Sequence, residues 1–238
     1  MTASEGKTQV VATSLPSIYV AAHELKAPLV LMRQLSLELQ QTSDAGDART
    51  IERLLLSVER SLRLVEQLTR TARLDDALFD SEPLHAEAVC QAVAYELQPF
   101  AQASDQRIVT RVSRRSVVAV GHRSLLTALL VNLCDNAISH NPRGEHVELT
   151  ATARERGVEF SVRDYGPSMS HATFQGIREQ LGKGPLPATN RPRSSGLGLW
   201  IAGQFAEVMG EQLSMTRHHT AGITVSVTLP YSKQLSLL

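Results

Sequence analysis

The sequence predicts an α+β protein in two parts, a helical hairpin followed by a sandwich with helices on one face of a mixed sheet. Three observations predict it. From Leu15 to Leu78 apolar residues recur at helical spacing, with almost no strand signal and Gly46 as the lone glycine. Beyond Phe79, short β-rich runs sit between long apolar helical patterns. Those strands and helices come in separate runs, which argues for a sandwich. The expected divisions are an N-terminal tail (1–14), the hairpin (15–78), the mixed domain (79–232) and a C-terminal tail (233–238).

The first helix of the hairpin carries Leu15, Ile18, Ala22, Leu25, Leu29, Met32 and Leu39. After the break TSDAGD, a second carries Ile51, Leu54, Val58, Val65, Leu68 and Ala72, with Leu55 and Leu62 widening the stripe. Two helices alone cannot cover faces this wide. Pairing two hairpins into a four-helix bundle would, so a homodimer is expected. In the mixed domain, EAVCQAVAYELQPFAQAS reads as a helix, RIVTRV and SVVAV as short strands, and RSLLTALLVNLCDNAISH as a second helix. HVELTATARERGVEFSVRD reads as two strands about a turn at Gly157. A glycine- and proline-rich loop is expected from Gly166 to Ser195. A third helix, GLGLWIAGQFAEVM, then leads into the strands EQLSMTRH and ITVSVTLP.

Composition narrows the function. In 238 residues, 24 Lys and Arg balance 24 Asp and Glu, so no basic field exists to hold nucleic acid. Cys90 and Cys134 both lie in apolar helical patterns and read as buried thiols in a reducing compartment. No apolar run approaches bilayer length, and MTASEGKTQVVATS lacks the basic and apolar regions of a signal peptide. A soluble cytoplasmic chain is expected.

Four stretches carry chemistry. In HELKAPL, Pro28 leaves the carbonyl of Glu24 without its helical partner, a cost of about 3 kcal/mol beside His23. In VNLCDNAI, Asn132 and Asn136 share one helix face, and an amide oxygen suits a hard Mg²⁺ ion also held by phosphates. In VRDYGP, Asp164 closes a strand and Gly166 permits a tight turn. In SSGLGLWIAG, Gly196 and Gly198 open a helix whose N–H groups and dipole suit phosphate.

Order and spacing together resemble the sensor histidine kinases of two-component signalling, from about Leu15 to Pro230. HELKAPL is similar to the H-box, RLVEQLTRTARL to the second dimerisation helix, NLCDNAISHNP to the N-box, DYG to the G1 box and SGLGL to the G2 box; Phe174 is a loose candidate for the F-box. The resemblance implies a GHKL-type (Bergerat) ATP-binding sandwich after a phosphoacceptor hairpin. It implies an ATP-dependent protein-histidine kinase (a transferase) that phosphorylates His23 and passes the phosphoryl group to an aspartate of a response-regulator receiver domain. Asp164 would accept the adenine amine. Asn136 would hold Mg²⁺, with Asn132 assisting. Gly166, Gly196 and Gly198 would admit the nucleotide, with Leu197 and Leu199 anchoring the end of a lid spanning Ser168 to Ser195. Glu24 would take the proton from His23 or hold its correct tautomer, and Lys183, Arg191 or Arg193 could add charge from the lid. The heptad points Ala22 and Leu25 inward, which leaves His23 outside the bundle. Related ATPases such as DNA gyrase and the heat-shock chaperones place a glutamate at position 132; asparagine cannot activate water in that way.

The chain departs from the family at four places. Ser139 stands where a lysine is common, and Ser168 and Ser194 replace glycines of the G1 and G2 boxes. Ala27 lacks the hydrogen-bonding group that orients water in members with phosphatase activity. The first three keep a second expectation alongside the first, a degenerate kinase acting as a dimeric scaffold with little nucleotide turnover.

Overall fold

In the computed structural model the described residues are 26, 29–40, 51, 54, 55, 58, 61, 62, 65, 81–113, 117–181 and 197–232. The chain divides into two units, Met1–Asp76 and Ala77–Leu238.

In the first unit every described residue is helical. The apolar stripe of the second half of the hairpin is partly satisfied within one chain: Ile51, Val58 and Val65, spaced by seven, are all buried. Met32, Leu39 and Leu54, from the same expected seam, are 52%, 51% and 49% exposed. The seam therefore has an open side in the single chain. His23, Glu24, Ala27, Pro28 and the TSDAGD break lie outside the described residues.

The second unit runs β1 (Glu82–His85), α1 (Ala86–Ala103), β2 (Arg107–Val112), β3 (Val118–Gly121), α2 (Arg123–His140), β4 (His146–Arg154), β5 (Gly157–Arg163), α3 (His171–Gln180), α4 (Leu197–Val208), β6 (Ser214–Arg217) and β7 (Ile223–Leu229). Five strands form one sheet in the order β2-β4-β5-β7-β6. The β2–β4 pair is parallel and the others are antiparallel. A separate antiparallel pair, β1–β3, meets the end of β7 where Val120 N–H donates to Pro230 and Ser232 N–H to Val118.

Strict alternation along β4 and β5 sends Val147, Leu149, Ala151, Val158, Phe160 and Val162 into the core. The opposite residues line a polar face. There Thr150 and Ser161 hydroxyls meet at 2.6 Å, and those of Ser214 and Ser226 at 2.8 Å. Helix α2 is buried on nearly every side from Leu125 to Ile138, as its apolar run requires, and packs on α1, α4 and the sheet. Cys90 of α1 and Cys134 of α2 are both buried free thiols, as expected.

Two elements differ from the sequence reading. Strand β1 contains Pro83, which hides it as a strand but is tolerated on an edge. The expected loop from Gly166 is interrupted by α3. The Ser170 hydroxyl caps that helix by accepting from Thr173 N–H, and Phe174 and Ile177 give it one buried side. Among the described residues no helix is long and apolar enough to cross a membrane.

Candidate functional site

The site is built where the end of β5 meets the last turn of α2. Asp164, only 6% exposed, follows β5 directly. Its N–H donates to Ile223 O at 3.0 Å, while its Oδ1 accepts from Gly166 N–H at 3.0 Å and Ile223 N–H at 3.2 Å. Backbone and carboxylate are thus both stitched to the start of β7. Two glycines make this approach possible. At Gly222 (φ +74°) a Cβ would stand 2.6 Å from the Asp164 carbonyl carbon, and at Gly166 it would stand 2.8 Å from His140 O. Both distances are too short for any side chain, so the chain here passes at backbone contact.

Asn141, which ends α2, closes the junction. Its Oδ1 accepts from Tyr165 N–H at 2.6 Å and its Nδ2 donates to His146 O at 2.8 Å. Gln106 grips the same helix end, donating to Ile138 O at 2.9 Å and to Asn141 O at 3.3 Å. The sequence reading passed over both residues. Their partners lie 24 to 35 positions away, Nδ2 of Asn141 apart, so no local pattern announces them.

Tyr165 turns to the polar face of the sheet. Its hydroxyl donates to Glu148 at 3.3 Å, its ring lies 4.7 Å from that of His146, and the Arg163 guanidinium stacks 4.5 Å above it. Burial, then the neighbouring Glu148 charge, raises the tyrosine pKa. His218 lies beside this cluster with Nε2 2.7 Å from Thr224 Oγ1, and burial, then Arg163, pushes its pKa down.

From this junction α2 runs back past Asn136 and Asn132, at successive turns of about 5.4 Å. Asn132 is 4% exposed and its Nδ2 is a buried donor with no partner. A buried, unpaired amide is costly, and polar contact with a ligand would relieve it. Asn136 is half-buried. Among the described residues no cluster of His, Cys, Asp or Glu could hold a metal, so a divalent ion here would rely on an amide oxygen and on its phosphates. The two asparagines fit that demand.

At the other side, α4 opens with Leu197. Among the described residues, a Cβ at Gly198 would meet nothing within 4 Å, so that position leaves room beside the helix. Leu199 is buried and anchors the turn. Gly196, Lys183, Arg191, Arg193 and Ser194 lie outside the described residues. Ser139 turns its hydroxyl back to Asp135 O at 2.8 Å, so it brings neither charge nor a donor to a phosphate. Ser168 is exposed beyond the turn. Asp164, Gly166 and Asn141 therefore form one junction at the end of α2, the helix that bears Asn132 and Asn136.

Residues 121–233 match the family of histidine kinase-, DNA gyrase B- and HSP90-like ATPases. The sensor protein QseC of Salmonella typhimurium is 30% identical over 212 residues, covering 87% of this chain and 46% of that protein. The sensor protein CutS of Streptomyces coelicolor is 32% identical over 216 residues, covering 88% of this chain and 51% of that protein. The chain thus spans about half the length of the relatives it matches. Among solved structures, full-length ShkA in complex with AMPPNP superposes with a TM-score of 0.64 at 25% identity, over 92% of this chain and 46% of that one.

Proposed function

The chain is a relative of the sensor histidine kinases, with their type of ATPase domain, and from that premise we propose that it is an ATP-dependent protein-histidine autokinase. It phosphorylates His23 and passes the phosphoryl group to an aspartate of a response-regulator receiver domain. One observation carries the reading: the Asp164–Gly166 turn is docked on the end of the helix that bears Asn132 and Asn136. A ligand with a hydrogen-bonding base at one end and phosphates at the other could engage the turn and that helix together.

In this reading Asp164 accepts the exocyclic amine of adenine, and Gly166 keeps the turn close enough to α2 for it to do so. Asn136 is the protein ligand of Mg²⁺, which offsets phosphate charge when bound, and Asn132 assists. Gly196 and Gly198 admit the phosphates to the start of α4, with Leu197 and Leu199 anchoring that end of the lid. The imidazole of His23, largely neutral near pH 7, attacks the γ-phosphorus. The N–P bond forms as the bond to the β–γ bridging oxygen breaks, ADP leaves, and Glu24 takes the imidazole proton. Asn132 cannot serve as a base for water, which favours transfer to histidine over hydrolysis.

The same reading assigns residues 15–78 to dimerisation and phosphotransfer and 79–232 to ATP binding, with tails at 1–14 and 233–238. The half-exposed Met32, Leu39 and Leu54 support a homodimer, because a second hairpin would cover them. Activity would be cytoplasmic, where ATP and the receiver domain meet.

The test is incorporation of γ-labelled phosphate from Mg·ATP into the wild type, His23→Gln and Asn136→Ala, with the acid lability of the label measured. Acid-labile label lost in both variants is expected. Label retained in His23→Gln would refute the phosphoacceptor, and no label in a folded wild type would refute the kinase.

A further inference from the structure

We propose that Asn141 is a positioning residue for nucleotide, fixing the adenine end of the site at a set distance from its phosphate end. This rests on the ATP-binding reading above. Asp164 belongs to a turn after β5, whereas Asn132 and Asn136 belong to α2. A single ligand that touches both must find them in one relative placement. One side-chain hydrogen bond joins those two elements at this junction: Asn141 Oδ1 takes the N–H of Tyr165, the residue between Asp164 and Gly166, at 2.6 Å.

The two ends of the Asn141 side chain do separable work. Oδ1 reaches the nucleotide-binding turn. Nδ2 donates to His146 O at 2.8 Å and so secures the start of β4, which bears no proposed ligand group. Gln106 holds the same helix end through Ile138 and Asn141 carbonyls without touching the turn. The two hydrogen bonds can therefore be removed one at a time, while β4 keeps its own contacts to Tyr165 through the His146 ring and Glu148. When the Tyr165 N–H loses its acceptor, the turn is no longer pre-set against α2, and ordering it falls to the ligand.

The experiment is calorimetric titration of the full chain with Mg·ATP, alongside thermal unfolding, for the wild type and three variants. Asn141→Ala should weaken binding by up to about tenfold, the low end of the range for leaving a donor unpaired, because the Tyr165 N–H is only part-buried. Asn141→Asp keeps an acceptor for Tyr165 but loses the donor to His146, so it should unfold at lower temperature yet bind within about threefold of the wild type. Gln106→Ala should likewise lower the unfolding temperature and leave affinity unchanged. Affinity loss in Asn141→Ala that is rescued in Asn141→Asp establishes the role. Equal affinity in wild type and Asn141→Ala, or losses that track unfolding temperature across all three variants, would overturn it. A folded wild type that binds no Mg·ATP would instead refute the underlying ATP reading.

Discussion

Replacing Gly222 and Gly144 by alanine, one at a time, separates two costs that usually come together. At Gly222, with φ +74°, an alanine pays for the left-handed conformation, on the order of 1 kcal/mol. Its Cβ would also lie 2.6 Å from the Asp164 carbonyl carbon and 2.9 Å from Asp164 Oδ1, with backbone as the obstacle. Backbone cannot rotate away, so the overpacking cost should be ~1–3 kcal/mol. Gly144 supplies the control: its φ is +83°, and a Cβ there meets nothing within 4 Å. Gly144→Ala should therefore lose only the conformational part and drop Tm by roughly 2–4 °C in a domain of this size. Gly222→Ala should drop it by roughly 5–15 °C, combining both costs. The collision moves Asp164, so discrimination between ATP and GTP should also fall in Gly222→Ala and not in Gly144→Ala. The assay is thermal unfolding with and without Mg·ATP, followed by a competition titration with GTP. Equal Tm losses in the two variants would refute the close approach of β7 to Asp164.

Three further outcomes follow from the same structure. Burial and Arg163 depress the His218 pKa, against Asp164 and Glu148, which pull it up, so the folded state binds fewer protons than the unfolded one as pH falls below ~6.5. Stability should be level above that pH and decline on acidification toward the folded value. His218→Gln, which can keep the contact to Thr224, should flatten the decline between denaturation curves at pH 7.5 and 5.5, and an unchanged slope would refute it. Burial pushes the Cys90 thiol up to about 12 and the Cys134 thiol higher still, so neither should react with a thiol reagent at pH 8 until the protein is denatured; rapid labelling of the native chain would contradict the α1–α2 packing. Ala27 offers no group to orient water, so decay of a phosphorylated receiver should be little accelerated by the wild type and faster with Ala27→Thr. Strong acceleration by the wild type, unimproved by threonine, would overturn that expectation.

The architecture of the second unit was legible where one physical signal dominated. Period-two alternation in HVELTATAR and GVEFSVR marked β4 and β5, and the unbroken apolar run of α2 marked a helix buried all round. Helix α3 was missed because its pattern consists of Phe174 and Ile177 alone, carries Gly176 inside, and adjoins a glycine- and proline-rich stretch. Strand β1 was masked by Pro83, whose missing N–H matters little on an edge. At the site, Asp164, Gly166 and the two asparagines could be named from spacing and from resemblance. The parts that hold them together could not. Asn141, Gln106 and Gly222 act through contacts between distant segments, and a single sequence without its fold contains no trace of which carbonyl or N–H will arrive beside them.

The sheet ends in two open strands, β2 and β6. Open strands invite another copy to hydrogen-bond onto them. Here β2 carries Arg107 and Arg111, and β6 is four residues long and ends at Arg217. The β6 edge offers only a short ladder, and the arginines of β2 would meet their own kind across a β2–β2 contact, although Arg111 is already paired with Glu148 at 3.0 Å. Growth by strand addition is thus disfavoured at the short β6 edge, which would suit the pairing of hairpins proposed above. The proposed pairing would instead use the half-exposed helical residues Met32, Leu39 and Leu54, where a closed pair has nothing further to add.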